Sequence, residues 1–331
     1  MKRNIALVTG GFTGESVVSF KSADFVESQI DSNKYTIYKI VILKEGWYFQ
    51  DADAVKYSVD KNDFSILLNN KKINFDAAFI MLHGSPGEDG KLQGYFDLLD
   101  IPYTSCDGLT SSLTMNKSYS KAIVNGIKDL FIARSIQLFE NSVTAEKDLL
   151  ANLDFPLFIK PNNGGSSIGM SKVKTANELS SALQKAFNED DQVLVEEFVL
   201  GREFSVGVYK NNKGIHVLPA TEVIPSNDFF DFEAKYTPGS TEEITPGRMT
   251  EAEKSRVERI VSEIYLKLNC KGMIRIDYFL QNQTSNFYFI EINTIPGQTA
   301  QSFIPQQVRA AGLNIAEFYA DLIEMALNTK K

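Results

Sequence analysis

Short apolar runs that end in glycine-rich loops alternate with helix-patterned segments in the first third of the chain. Residues 5–9, 35–43 and 75–82 have the composition of short strands, and residues 16–30 have helical spacing. Strands that alternate with helices predict a parallel α/β layer, and the loops after such strands are the usual ligand sites. Residues 47–68 do not follow this pattern, and we expect a small hairpin or an insertion there.

The middle of the chain carries a second set of alternating patterns. Helical spacing at 111–126 and 177–188 accompanies strand-like runs at 155–161 and 193–199. A polar glycine loop at 162–169 follows the first of these runs. Together they predict a compact α+β domain.

The last third contains two strong strand patterns at 272–280 and 287–293, between a helix pattern at 250–268 and a C-terminal helix. Weaker strand patterns lie at 203–209 and 216–223. We therefore expect an α/β chain with α+β parts, divided into three domains. The expected domains span residues 1–104, 105–196 and 197–331.

The composition excludes several classes of protein. Of the 331 residues, 43% are apolar and 23% charged, which is ordinary for a globular chain. The net charge of −8 argues against a broad basic surface, so we expect no nucleic-acid partner. Two cysteines without CxxC spacing and only two histidines exclude a multi-histidine or CxxC metal site. No apolar run reaches the roughly 18 residues of a membrane helix, and no signal peptide is recognisable, so we expect a cytoplasmic protein.

The two strong late strands each carry polar side chains on one face. Alternation with a period of two places Arg275 and Asp277 together in the first strand, and Glu291 and Asn293 together in the second. Charges within apolar strands are costly unless they are paired or bind a metal. The oxygen donors of Asp277, Glu291 and Asn293 suit Mg²⁺, which takes its other ligands from water and substrate phosphates. An internal pair between Arg275 and a carboxylate is the alternative.

Lys160 ends a strand pattern and precedes the glycine loop at 162–169. Glycines let backbone N–H groups approach a phosphate, Ser166 and Ser167 add donors, and the lysine supplies a positive charge. A flexible surface turn is the alternative. Residues 165–169 also match the G-x-S-x-G pattern of serine hydrolases. That pattern needs a strand directly before the serine and a helix directly after it, and neither is predicted here, so we argue against that class.

Glu15 and His83 lie beside the two glycine loops of the first third. Glu15 falls in the first helical turn, where the helix dipole favours a carboxylate. A carboxylate that binds a ligand amine is the alternative, and Glu15 taken alone favours the first interpretation. His83 ends a strand and could equally be a structural histidine. The glycines at 10–14 do not form G-x-G-x-x-G, which argues against a nicotinamide dehydrogenase.

Several short motifs occur in one order between residue 4 and about residue 325. They are Gly10-Gly-x-x-x-Glu15, His83-Gly-x-x-Gly-Glu-Asp-Gly90, Met115-Asn-Lys117, Lys160-Pro, Gly165-Ser-Ser-Ile-Gly-Met170, Glu196-Glu-Phe-Val, Gly201-Arg-Glu203, Phe232-Glu-Ala-Lys235-Tyr236, Arg275-Ile-Asp277 and Glu291-Ile-Asn293-Thr-Ile-Pro-Gly297. Each motif alone is weak, but the ordered set resembles the D-alanine–D-alanine ligase family of the ATP-grasp superfamily. The resemblance implies an ATP-grasp fold of three domains, the first with a parallel sheet.

The resemblance implies an ATP site between the second and third domains. Lys117 and Lys160 would hold the phosphates under the loop that contains Ser166 and Ser167. The adenosine contacts would be Glu196 at the adenine amino group, the backbone of Glu197 and Val199 at the ring edge, and Glu203 at the ribose. The metal ligands, for two Mg²⁺ with Mn²⁺ as an alternative, would be Asp277, Glu291 and Asn293.

The resemblance also implies two amino-acid sites where the three domains meet. Glu15, with His83 nearby, would take the ammonium group of the first D-alanine, and Ser302 would take the carboxylate of the second. Arg275 and the backbone N–H of Gly297 would stabilise the oxyanion.

A mobile loop around 232–236 would close over these sites. Tyr236, Glu15 and Ser166 would tie it down by hydrogen bonds, and Lys235 would reach the γ-phosphate. Relatives that make D-alanyl-D-lactate alter this loop, so the presence of both Lys235 and Tyr236 favours D-alanine as the acceptor. The alternatives are a D-lactate acceptor, another acid and amine joined by an ATP-grasp ligase, and a non-catalytic ATP or amino-acid binding protein.

The implied reaction uses no protein nucleophile. ATP converts the carboxylate of one D-alanine to an acyl phosphate, and the amine of the second attacks the acyl carbon and expels phosphate. Lysines and metals would neutralise the phosphate charge, and a closed loop would keep water from the acyl phosphate. The product would serve peptidoglycan precursor synthesis, and members of the family are commonly homodimers.

Overall fold

A computed structural model of the protein describes residues 2–140, 149, 151–165, 168–225 and 241–328. Within these ranges the chain forms three β-sheets, and the N-terminal part builds the first. Its strands are β1 (Arg3–Gly10), β2 (Tyr35–Ile42), β3 (Trp47–Gln50), β4 (Lys56–Asp60), β5 (Ser65–Leu68), β6 (Lys71–Ile73) and β7 (Ala77–Ile80). Its helices are α1 (Ser16–Gln29) and α2 (Lys91–Leu98). Parallel pairing joins β1 to β2 and to β7, which confirms the predicted parallel layer.

The segment 47–68 extends the first sheet with antiparallel strands, which is more than the expected hairpin or insertion. The strand order is β6-β5-β4-β3-β2-β1-β7, and each pairing from β2 outward to β6 is antiparallel. Aromatic packing explains why the segment joins the sheet. Phe64 is fully buried, and its ring meets those of Trp47, Phe75 and Phe96 with centroids 4.8–6.3 Å apart.

The helix pattern at 111–126 is two helices, α3 (Gly108–Met115) and α4 (Lys117–Val124). Asn116 separates them because its backbone, at φ −86° and ψ 109°, leaves the helical region. Its side-chain oxygen accepts the N–H of Tyr119 at 3.0 Å and so caps α4. This break sets the position of Lys117 at the first turn of α4.

The second sheet is antiparallel, with strand order β11-β10-β12-β9. After the short strand β8 (Leu130–Phe131), its elements are β9 (Ser135–Phe139), β10 (Leu157–Pro161), β11 (Ser171–Val173), the 3₁₀ turn Ala176–Glu178, α5 (Leu179–Phe187) and β12 (Gln192–Glu197). One face packs on α5, because Leu157, Ile159, Val193 and Val195 share a buried cluster with Ala182. The predicted strands and helix of the middle part are thus confirmed.

The third sheet has the order β16-β15-β13-β17-β18-β8, with β14 paired to β13. Its elements are β13 (Gly201–Asn211), β14 (Gly214–Val217), β15 (Thr221–Pro225), β16 (Thr241–Ile244), α6 (Glu251–Lys267), β17 (Met273–Gln281) and β18 (Phe287–Asn293). A reciprocal capping box between Thr250 and Glu253 fixes the start of α6. The strand pattern at 216–223 is divided between β14 and β15.

The C-terminal region forms two helices, α7 (Phe303–Ala310) and α8 (Ile315–Asn328), where one was expected. Helix α8 packs on the first sheet, since the ring of Tyr319 meets that of Phe79 with centroids 5.7 Å apart and the Tyr35 hydroxyl donates to Glu324 at 2.7 Å. The last helix therefore shares a core with the first strands. The domain boundaries at 104 and 196 stay a prediction.

None of the helices in the described ranges is long and apolar enough to cross a membrane.

Phe64→Ala should lower the free energy of unfolding of the first sheet by about 3–5 kcal/mol, because it leaves a cavity in the aromatic cluster. Leu67→Ala is the matched control, since Leu67, three residues later on β5, is 60% exposed and its loss should change stability by about 0.5 kcal/mol or less. Urea unfolding followed by the fluorescence of Trp47, the single tryptophan, reports on this part of the chain. Equal midpoints for the two variants would contradict the packing account.

Candidate active site

A cavity of about 650 Å³ lies where the three sheets meet. Glu15 and His83 line it from the loops after β1 and β7, Lys160 from the second sheet and Asp277 from the third. The other predicted site residues that line it are Lys117, Glu196, Glu197, Val199, Glu203, Arg275, Glu291, Asn293, Gly297 and Ser302. The structure thus brings together every predicted site residue that falls in the described ranges.

Four predicted residues fall on parts of the chain that are not described. Ser166 and Ser167 belong to the glycine loop, and Lys235 and Tyr236 belong to the predicted mobile loop. Their placement lies outside the described residues, so their assignments stay predictions.

Strand β17 shows the predicted alternation, with Ile274 and Ile276 fully buried and Arg275 and Asp277 facing the cavity. The Arg275 guanidinium donates Nε and Nη2 to the two oxygens of Asp277 at 2.9 and 2.7 Å. From the neighbouring strand, Asn293 donates Nδ2 to Asp277 at 3.2 Å. Burial opposes the charge of Arg275, but the nearby carboxylates, Asp277 above all, outweigh it and raise the Arg275 pKa above its usual value. The Arg275 guanidinium therefore stays charged, and the two hydrogen bonds fix its orientation against Asp277.

A β-bulge on β18 decides which of its side chains face the cavity. Asp277 pairs with Glu291, but Tyr278 pairs with Phe289, so Ile290 has no opposite residue. The extra residue shifts the alternation, and Phe289 packs in the core while Glu291, two positions later, lines the cavity. A strict period of two would place Phe289 and Glu291 on one face of the strand. The sequence alternation therefore could not predict the bulge.

Three buried lysines surround two carboxylates in the middle of the cavity. Lys160 Nζ lies 2.6 Å from Glu196 Oε2, and Lys121 Nζ contacts the other oxygen of Glu196. Lys117 Nζ lies 3.5 Å from Glu291 Oε2. Burial, followed by the charge of Lys117, lowers the pKa of Lys160 to about 7, and burial also lowers that of Lys121. A bound polyanion would raise the pKa values of both lysines, because its negative charge favours their charged forms.

Lys121 is the site residue that the sequence reasoning missed. It lies one helical turn after Lys117 on α4, and the spacing of four residues puts both ammonium groups on one face. That spacing was visible in the sequence, but the partner Glu196 comes from β12 and could not be paired with it there. Glu196, predicted to contact an adenine amino group, thus also holds two lysines by ion pairs.

The first part of the glycine loop is anchored to α4 and approaches α1. The carbonyl of the buried Asn162 accepts the N–H of Lys117 at 3.0 Å. A side-chain carbon on Gly165 would lie 2.9 Å from Glu15 Oε1, and one on Gly84 would lie 2.6 Å from Glu15 Oε2. Glycine at both positions lets the two loops close around the Glu15 carboxylate.

One end of the cavity is apolar and bordered by polar groups. The apolar side chains there are Phe158, Met170, Phe198, Val199 and Phe279. Glu203, on β13, lines the same region. Glu197 lies at its edge, where its side chain is held by Arg134 at 3.2 Å and by the N–H of Asp154 at 2.9 Å. This end has the shape and chemistry for a planar base and a sugar.

His83 is buried and held by protein groups. Its Nε2 lies 3.1 Å from the hydroxyl of Ser22, and its ring also bonds to the backbone of Ile295. Burial lowers the pKa of His83 to about 4, and the charge of Arg275 adds to the effect. His83 is therefore a neutral bridge between the first sheet and the segment after β18, consistent with the structural alternative that its sequence context left open.

Gly297 and Ser302 lie together in the cavity wall. A side-chain carbon on Gly297 would lie 3.0 Å from the Ser302 hydroxyl, so glycine permits this contact. The Ser302 hydroxyl accepts the N–H of Thr299 at 3.0 Å and lies 2.8 Å from the Thr299 hydroxyl. The loop before α7 thus brings a backbone N–H and a hydroxyl to one point of the cavity wall.

The oxygen donors on β17 and β18 fit a hard divalent cation. Asp277 and Glu291 are cross-strand partners, and Asn293 adds an amide oxygen beside them. In the described part of the chain, no three His, Cys, Asp or Glu side chains are grouped as a metal site. The remaining ligands would therefore come from water and phosphate, as is typical of Mg²⁺ sites.

His83→Gln should flatten the dependence of stability on pH. Because the folded pKa is lowered to about 4, the unfolded chain binds a proton near pH 6.5 that the folded chain does not, so wild-type stability falls as the pH falls from 7 towards 4. Between pH 7 and 5 the wild type should lose about 2 kcal/mol more than the variant in urea unfolding. His216→Gln, which alters the other histidine, is the control, and an equal effect in both variants would contradict a buried neutral His83.

Comparison with known proteins identifies the family of the chain. Residues 4–106 match the family described as D-ala D-ala ligase N-terminus, and residues 128–324 match D-ala D-ala ligase C-terminus. A D-alanine--D-alanine ligase of Bacteroides fragilis is 45% identical over 328 residues, which cover 98% of this chain and 99% of that protein.

Solved structures extend the similarity to the whole fold. VanG D-Ala:D-Ser ligase from Enterococcus faecalis superposes with a TM-score of 0.88 at 33% identity, over 98% of this chain and 100% of that one. D-alanine--D-alanine ligase from Bacillus anthracis complexed with ATP superposes with a TM-score of 0.78 at 28% identity, over 98% and 97%. The sequence and the fold place this chain in the D-alanine–D-alanine ligase family of ATP-grasp enzymes.

Proposed function

We propose that the cavity joins two D-alanines to D-alanyl-D-alanine at the expense of ATP, through an acyl phosphate of the first. One observation carries the proposal: three buried lysines face the carboxylates of β17 and β18 across a single cavity, with Lys117 Nζ 3.5 Å from Glu291. Such a site binds a polyphosphate and a divalent cation side by side. Phosphoryl transfer depends mainly on this positioning and charge neutralisation.

ATP lies with its base in the apolar end and its phosphates among the lysines. Lys117 and Lys160 contact the phosphates, with Ser166 and Ser167 of the glycine loop above them. The adenosine contacts are Glu196, the backbone of Glu197 and Val199, and the ribose contact Glu203. Lys121 keeps Glu196 in place through its ion pair. A similar structure from Bacillus anthracis is described as complexed with ATP, which supports ATP as the nucleotide.

Asp277, Glu291 and Asn293 hold two Mg²⁺ in this proposal, and Mn²⁺ can replace them. When bound, the metal supplies positive charge at the phosphates during transfer. Arg275 fixes the Asp277 carboxylate through two hydrogen bonds, so that its oxygens keep one orientation.

Glu15 receives the ammonium group of the first D-alanine, and Ser302 the carboxylate of the second. Once the second amine attacks the acyl carbon, Arg275 and the N–H of Gly297 stabilise the oxygen that becomes negative. Collapse of this intermediate breaks the bond to phosphate and leaves the peptide. Tyr236, Glu15 and Ser166 close the mobile loop, and Lys235 reaches the γ-phosphate.

The product is a peptidoglycan precursor, and the proposed location is the cytoplasm. We also propose a homodimer with three domains per chain, as is common in the family. The acceptor is D-alanine, because the 45% identical relative is named for it, whereas the VanG relative is named for D-serine.

Phosphate release from Mg-ATP by the purified protein tests this function. D-alanine is compared with L-alanine and with D-alanine plus D-lactate or D-serine, and the products are identified by mass. Release that requires D-alanine and yields D-alanyl-D-alanine is expected. A mixed product would change the acceptor, and release without any amino acid, or none at all, would contradict the ligase reaction.

Asp277→Asn should reduce turnover by at least about 100-fold, because it removes a charged oxygen from the metal set and half of the Arg275 pairing. Asp129→Asn is the matched control, since Asp129 forms an exposed pair with Arg259 at 2.6 Å. Steady-state phosphate release at saturating ATP is the measurement. Near-normal turnover of Asp277→Asn would contradict its place in the metal set.

A further inference from the structure

Glu88 is a cavity residue without a role in the reaction as proposed so far. It lies in the glycine-rich loop after β7, yet it reaches the segment after β18. Its Oε1 accepts the N–H of Ile295 at 3.2 Å, and its Oε2 accepts the N–H of Gly84 at 2.8 Å. One carboxylate therefore joins two loops that are far apart in sequence.

Ile295 is also held by a second residue of the loop after β7. The ring of His83 bonds to the Ile295 backbone, while Glu88 takes the Ile295 N–H. Ile295 is also buried, at 2% exposure. Its position relative to the loop at 83–88 is thus fixed by both polar and apolar contacts.

A third contact fixes the other end of this short segment. The N–H of Gln298 donates to the hydroxyl of Ser22 on α1 at 3.1 Å, and the same hydroxyl lies 3.1 Å from His83 Nε2. The side chain of Gln298 is bonded to the Tyr319 hydroxyl at 2.9 Å. Residue 295 is therefore anchored to the loop after β7, and residue 298 is anchored to α1.

Gly297 lies between these two anchored residues. An N–H group stabilises an oxyanion only when it points at the place where the charge develops, and small displacements are costly. Glycine has no side chain with which to hold its own orientation. The direction of the Gly297 N–H therefore depends on the backbone that runs between the held residues Ile295 and Gln298.

We propose that Glu88 and Ser22 are positioning residues that hold the segment 295–298 so that the Gly297 N–H faces the oxyanion of the peptide-forming step. This inference rests on the proposed ligase function. Neither residue touches the reacting atoms in this account. Both act through the backbone that they hold.

The two chemical steps depend on this segment to different degrees. Phosphoryl transfer to the D-alanine carboxylate takes place among the lysines and the β17–β18 carboxylates and creates no tetrahedral carbon. Attack of the second amine does create one, and its oxygen becomes negative. Loosening the segment should therefore slow the second step more than the first.

Glu88→Gln and Ser22→Ala separate these steps. The amide of Glu88→Gln has one acceptor oxygen for two N–H groups, and Ser22→Ala removes the acceptor for the Gln298 N–H. Glu251→Gln is the control, because Glu251 is exposed and pairs only with Lys254 among the salt bridges of the described chain. Dipeptide formation measures the whole reaction, and exchange of ¹⁸O between the bridging and non-bridging positions of the ATP β-phosphate measures reversible acyl phosphate formation.

We expect the turnover of both variants to fall by about 10-fold or more, while isotope exchange changes by about 2-fold or less and the KM for ATP stays near the wild-type value. Ser22→Ala, the smaller change, carries the test should Glu88→Gln fail to fold. Exchange and turnover that fall together, or wild-type turnover in both variants, would overturn the inference. The wild type is assayed first. If its turnover does not depend on D-alanine, the proposed function is overturned, and this outcome is distinct from a failure of the inference about Glu88 and Ser22.

Discussion

The bidentate pair between Arg275 and Asp277 is the interaction on which the site depends. Taking two charges out of water costs several kcal/mol each, and the strand that carries them is otherwise apolar. Two short hydrogen bonds, with added contacts from Ser205 and Asn293, offset that cost. These polar groups border the cavity on one face of the third sheet, while the other face packs as core.

Ion pairs between carboxylates and buried lysines join the other elements that line the cavity. Glu196 from the second sheet binds Lys121 and Lys160, and Glu291 from the third sheet lies beside Lys117. Each carboxylate holds a lysine that comes from another element, so the cavity forms only when α4 and the two sheets are docked. Burial lowers the pKa values of Lys121 and Lys160, that of Lys160 to about 7, and the negative charge of a bound polyphosphate would favour the charged form of both side chains.

The sequence predicted what depends on local periodicity and on ordered motifs. The alternation on β17 correctly placed Arg275 and Asp277 towards the ligand and the isoleucines towards the core, and the motif order identified the family. The bulge at Ile290 could not be predicted, because it arises from pairing between β17 and β18 and leaves no mark on composition. The ion pair of Lys121 with Glu196 is a contact between elements that only the folded chain brings together.

The central claim is that the carboxylate of one D-alanine becomes the acyl phosphate before the peptide bond forms, and oxygen transfer tests it most directly. D-alanine labelled with ¹⁸O in its carboxylate is turned over with unlabelled Mg-ATP, and the released phosphate is analysed by mass. If an acyl phosphate forms, the carboxylate oxygen that bonded to phosphorus leaves with it, so each phosphate should carry one ¹⁸O. Phosphate without label, released together with the dipeptide, would contradict the account.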